Sequence, residues 1–144
     1  MLVEKIKKEE VDIVFVYTTC HDWEEARSIG LSAIEKKLAV CSDFWEIDSV
    51  YPWHGVIQEV HQHMLMLTTE RRLSTKLIDH IGDIHSYTTP MITQLDSAIM
   101  NSSYKFWVDT TLKSAEKYLS EEEGRMKEIQ KEEEETGYHF GKLK

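Results

Sequence analysis

Three groups of residues carry donor atoms at spacings that could do chemistry. In "EVHQHMLMLTT" (59–69), His61 and His63 stand two residues apart. On a β-strand such positions face the same way, so the two imidazoles would project side by side, half of a transition-metal site. Cys20, His21 and Asp22 set a thiol, an imidazole and a carboxylate in succession, donors suited to a soft cation such as copper. In "DIHSYTTP" (83–90), His85 and Tyr87 fall between a helical pattern and a strand. With Tyr51, Trp53 and Trp107 converging on them, they would describe a small-ligand pocket.

Each group also has a plainer reading. A strand H-x-H is a weak motif, equally expected at a half-wet strand end. Neighbours in sequence usually point apart, and Asp22 has a second role as a helix cap. Large aromatics are mostly core. A nucleophilic pair of Cys20 or Cys41 with His85 lacks an orienting partner and an oxyanion hole, so no enzyme is expected.

The elements that must position these groups follow from periodicity. "VDIVFVYTT" (11–19) is a β-branched, aromatic run that reads as a central buried strand. Asp22 with Glu25 three residues on is a capping-box signature. Ala26, Ile29, Ala33, Ile34 and Leu38 then give one apolar helix face, ending near Lys36 and Lys37. Two long strands, 39–53 and 56–69, hinge at "WHGV" with Gly55 as the turn residue and Pro52 close by. A second helix is predicted over 70–85 with Leu73, Leu77, Ile81 and Ile84 on one side. A shorter strand over 91–99 follows Pro90. A last helix over 101–112 has Asn101 and Ser102 as capping candidates and buries Trp107 and Val108.

The order β-α-β-β-α-β plus a short C-terminal helix predicts an α+β, ferredoxin-like fold: one four-stranded antiparallel sheet with both helices on one face. The other face carries Val60, Met64 and Met66 on one strand parity and needs a cover, for which a partner subunit is the expected source. Residues 1–112 form the expected domain, and 113–144 a charged, partly helical extension. A net charge of −9 argues against nucleic acid or an anionic membrane as partner. Two cysteines are too few for a disulfide framework, and the charged opening "MLVEKIKKEE" lacks an apolar signal region, so a cytoplasmic protein is expected.

"KLAVC", "SVYPWHGVI", "HSYTTP" and "YKFW" occur in an order and at spacings that resemble the CutA divalent-ion tolerance family. The motif residues are Ser49, Tyr51, Trp53 and Gly55, then His85, Tyr87 and Pro90, then Tyr104 and Trp107, within a resemblance spanning about residues 11–112. It implies a tight homotrimer whose long hairpins extend sheets across subunits, a role in tolerance of copper and other divalent cations, and no obligatory cofactor. Cation or small-ligand binding would fall at an inter-subunit cleft. The family's likeness to trimeric PII signalling proteins implies an alternative role as a signalling or scaffold module.

The departures bear on the site. Gln62 and Met91 stand where the family has glutamates, Thr68 where it has a lysine, and Ser86 and Asp96 where it has prolines. Thr18 occupies the position of the cysteine that some members use for copper, with Cys20 two residues on. The expected metal ligands are therefore His85, Cys20 and His21, and the expected pocket residues Tyr51, Trp53, Tyr87 and Trp107.

Overall fold

The computed structural model describes residues 11–137; residues 1–10 and 138–144, the side chains of 115–123, and the expectations placed on them lie outside that part. The elements are β1 (Ile13–Cys20), α1 (Trp23–Glu35), β2 (Cys41–Trp53), β3 (Val56–Glu70), α2 (Arg71–Ile84), β4 (Ile92–Asp96), α3 (Ser102–Lys113) and α4 (Ala115–Thr136). Between Leu112 and Lys113 the chain divides into two compact units. None of the described helices is long and apolar enough to cross a membrane.

The four strands form one antiparallel sheet in the order β2-β3-β1-β4. β1-α1-β2 and β3-α2-β4 are interleaved split β-α-β units, as the element order predicts. Alternation sorts the strand residues into two faces. Val16, Cys20, Leu65 and Leu67 meet Ala26, Ile29 and Ala33 of α1 and Leu77 and Ile81 of α2 in the main core. These branched and small side chains, removed from water together, supply most of the driving force. α1 lies close to β2 because Gly30 has no side chain: a Cβ there would stand 2.9 Å from the Cβ and Oγ of Ser42.

Residues of the opposite parity, among them Phe15, Tyr17, Met64, Met66 and Trp45, form the second face. Tyr17 and Trp45 meet edge to face there, ring centroids 6.4 Å apart. α3 packs Val108 and Leu112 against Ile13 and covers one end. Trp107 was expected to be buried with Val108, yet it is half-exposed. The reason is helical phase: Tyr104, Val108 and Leu112 repeat at four-residue spacing on the docked side, and Trp107 lies about 100° away. β4 is also shorter than expected, ending at Asp96 rather than near Ile99.

The β2–β3 connection is a two-residue turn. His54 and Gly55 both have positive φ, 49° and 78°, and Trp53 pairs with Val56 across it. That is the backbone a type I′ hairpin requires, and it fixes the register of two long strands. Pro52 is tolerated because β2 is an edge strand. At the other end, Arg71 bridges Asp12 (2.6 Å) and Asp96 (2.9 Å), clipping the start of α2 to the chain before β1 and to β4.

Candidate metal and ligand site

Where β1 ends, three elements converge. Cys20 closes β1 on the helix-facing parity, Glu25 sits in the first turn of α1, and His85 follows α2 directly. One ligand atom from each lies within 4.8 Å of the others. The strand reaches Cys20 itself, so its thiol keeps the parity of Thr18 and points to the same side two residues further on.

Local chemistry fixes each donor. His85 Nε2 lies 2.9 Å from the carbonyl oxygen of Thr19, with Thr18 Oγ1 at 3.1 Å, and Nδ1 lies 3.1 Å from the backbone nitrogen of Tyr87. A carbonyl only accepts and an amide only donates, so Nε2 carries the proton and the single Nδ1 lone pair accepts from the Tyr87 N–H. The far N–H is held by a backbone carbonyl, as in a metal-binding histidine, and an ion at Nδ1 would take the place of the Tyr87 N–H on that lone pair. Nδ1 is also 4.0 Å from Glu25 Oε1.

Asp22 caps α1 by accepting from the Glu25 N–H at 2.8 Å. Glu25 turns back to accept from the backbone N–H groups of His21 (2.9 Å) and Ser86 (3.1 Å). Burial alone would raise the Glu25 pKa, but the hydrogen bonds from Ser86 and His21 and the nearby His85 hold it below the usual glutamate value. Cys20 is opposite in sign: desolvation first, then the carboxylates of Glu25 and Asp22, push its thiol up to about 12. A thiolate, a carboxylate and an imidazole together suit zinc- and copper-like ions better than calcium or magnesium.

Beside this group, a cavity of about 870 Å³ opens over the second sheet face. Tyr51, Trp53, Gln58, Gln62, Tyr87 and Met91 are among its lining residues. The Tyr87 hydroxyl donates to Gln62 Oε1 at 2.9 Å, so this amide is engaged within the wall. Thr19, Ser86 and Tyr87 line the cavity and are chain neighbours of Cys20 and His85, so the two features adjoin.

Of the expected metal ligands, Cys20 and His85 come together, whereas the exposed His21 enters through its backbone and its imidazole is not among the three donors. Glu25 takes the third place. The sequence signal for it was the capping box, which aims the third helical residue back at the chain preceding the helix. Of the expected pocket residues, Tyr51, Trp53 and Tyr87 line the cavity. Trp107 instead lies on α3 with its ring 5.6 Å from that of Tyr104.

The two histidines of β3 have separate surroundings despite a shared face. His61 is exposed, its Nδ1 2.9 Å from Asp48 Oδ1 and its Nε2 3.9 Å from Glu46. The hydrogen bond that His61 donates to the Asp48 carboxylate raises its pKa. His63 is buried, directly opposite Cys20 in the β1–β3 ladder.

Comparison with known proteins agrees with this architecture. The family model described as CutA1 divalent ion tolerance protein matches residues 14–111. A divalent-cation tolerance protein CutA of Thermococcus kodakarensis is 33% identical over 102 residues, spanning 71% of this chain and 98% of that protein. Its Pyrococcus horikoshii counterpart is 30% identical over 67% of this chain and 94% of its own length. The crystal structure of CutA1 from Ehrlichia chaffeensis superposes with a TM-score of 0.69 at 30% identity, covering 72% of this chain and 97% of that one. The chain belongs to the CutA1 divalent ion tolerance family.

Proposed function

We propose that this protein is a non-enzymatic, homotrimeric member of a metal-response system, taking up copper or another divalent cation at Cys20, Glu25 and His85. The observation that carries this reading is the convergence of those three donors within 4.8 Å, with the His85 tautomer already set. The cavity beside it, with Tyr51, Trp53 and Tyr87, would take a small ligand at the subunit boundary. The trimer is favoured by apolar surface on the β2–β3 hairpin, where Ile57 is 73% and Val50 67% exposed, and by Leu95, 50% exposed, on the second face. A reduced thiol at Cys20 suits a cytoplasmic setting.

Calorimetric titration of the purified protein with copper tests the site. Wild type is expected to bind about one ion per chain, and His85→Ala and Cys20→Ser to weaken it by at least tenfold, roughly. Isotherms unchanged by both substitutions, or no binding by wild type, would remove the reading.

A second reading, a trimeric PII-like signalling or scaffold module without the metal function, is favoured by Gln62 and Met91 at two carboxylate positions of the family. It predicts that deleting residues 114–144 abolishes partner capture while the trimer persists. Equal capture by the shortened chain would count against it.

A further inference from the structure

We propose that His63 is a fourth ligand of the Cys20–Glu25–His85 site, closing it into a four-donor centre for zinc-type ions; the proposal rests on the three-donor reading above. Cys20 and His63 are direct partners in the antiparallel β1–β3 ladder. Opposed residues of such a ladder share a face, with Cβ atoms about 5 Å apart. His63 is not among the donors that already lie within 4.8 Å of one another, so its ring must turn toward Cys20, and at that separation a thiol and an imidazole can then share one ion.

His63 is only 8% exposed, yet its Nδ1 is buried without a hydrogen-bond partner. A buried imidazole nitrogen left unpaired costs free energy, and coordination would satisfy it. The neighbours on its other flank do not. Glu46, opposite His63 on β2, is largely exposed and approaches His61 Nε2, and His61 is held by Asp48 at 2.9 Å. The His61 and His63 rings meet edge to face, centroids 6.1 Å apart, which offers Nδ1 of His63 no hydrogen bond.

The other donors are already fixed from behind. His85 Nε2–H is held by Thr19, and the Glu25 carboxylate by the N–H groups of His21 and Ser86. One sulfur, one oxygen and two nitrogens match what zinc and cobalt take tetrahedrally. Magnesium and calcium, which prefer six or more oxygens, are disfavoured.

The test is titration of the reduced full-length protein with Co²⁺, followed by Zn²⁺ displacement. Wild type is expected to develop the intense visible bands of a tetrahedral cobalt site and a near-ultraviolet thiolate-to-cobalt band. His63→Ala and the bulkier His63→Gln should keep the thiolate band, lose most visible intensity and weaken Co²⁺ and Zn²⁺ binding by about tenfold or more. His61→Ala should match wild type. Wild-type spectra and affinities in both His63 variants would overturn this proposal and leave the three-donor reading standing. Absence of the thiolate band in wild type would overturn both. Ring-nitrogen NMR of the unsubstituted protein asks the same question if the variants fail to fold. Zn²⁺ should shift His63 and His85 but not His61, and an unmoved His63 would again overturn the proposal.

Discussion

At the residue scale, the site is governed by how its surroundings divide two ionisable groups. Glu25 is kept charged by backbone N–H groups, while Cys20 is kept protonated by desolvation and by the carboxylates beside it. At the proposed cation site, an incoming divalent ion must therefore displace the thiol proton. The sign follows: with the thiol pKa near 12, lowering the pH strengthens the competing proton, so the affinity should rise about tenfold per pH unit between pH 6 and 8. Titration in buffers of different ionisation enthalpy should count about one proton released per ion. The sequence presented Cys20 and His85 as donors, but Glu25 was legible only as a capping residue. Its second role arises because the segment after α2 folds back onto the first turn of α1.

A second buried carboxyl sits away from this site. Glu70 is 1% exposed, its Oε2 2.5 Å from Arg72 Nε, and burial, reinforced by hydrogen bonding with Asp109 and opposed by Arg72, raises its pKa to about 6. Because this lies above the unfolded value of 4.5, the folded state holds a proton that the unfolded chain has released. Stability from this group is fully present below pH 4.5 and is lost as pH rises through 6. Glu70→Gln should accordingly gain stability relative to wild type between pH 4.5 and 7, as read by urea unfolding at each pH. A constant difference across that range would contradict the assignment.

At the scale of elements, close approach and turn geometry decide most. Gly30→Ala would drive a methyl into Ser42 and disturb the Ser42 Oγ hydrogen bond to the Gly30 carbonyl, now 3.2 Å. A loss of about 1–3 kcal/mol is expected, measured as a lower denaturant midpoint with unchanged slope. Element order and type could be read from periodicity, because strand and helix patterns differ in period. Trp107 was misplaced because apolar character alone does not set helical phase, and which side of α3 docks depends on where Ile13 and Thr68 present a surface. Val108 fills that contact, and the Tyr104 hydroxyl hydrogen-bonds the Thr68 side chain.

For the whole molecule, the question is what covers the apolar surface. The hairpin tip bears Val50 and Ile57 on one face and Tyr51 and Trp53 on the other. Apolar residues on both faces suit insertion between neighbouring subunits better than docking on a flat surface. Ile57→Glu combined with Val50→Glu should convert the proposed trimer to folded monomer, seen as a lower sedimentation coefficient with the far-ultraviolet spectrum retained. A wild-type monomer at micromolar concentration would instead remove the trimer from the proposal.

The sequence by itself determined the succession of strands and helices, the His54-Gly55 turn and the Asp22 cap, since each depends on residues near one another in the chain. It also carried the motifs by which the family is recognised. Only the tertiary structure decided that Cys20, Glu25 and His85 share one point, that His21 does not, and that His63 faces Cys20 while His61 faces Asp48. Those juxtapositions are set by strand register and by the packing of loop on helix cap, which bring together residues up to 65 positions apart, Cys20 and His85 (85 − 20), and have no local signature in the chain.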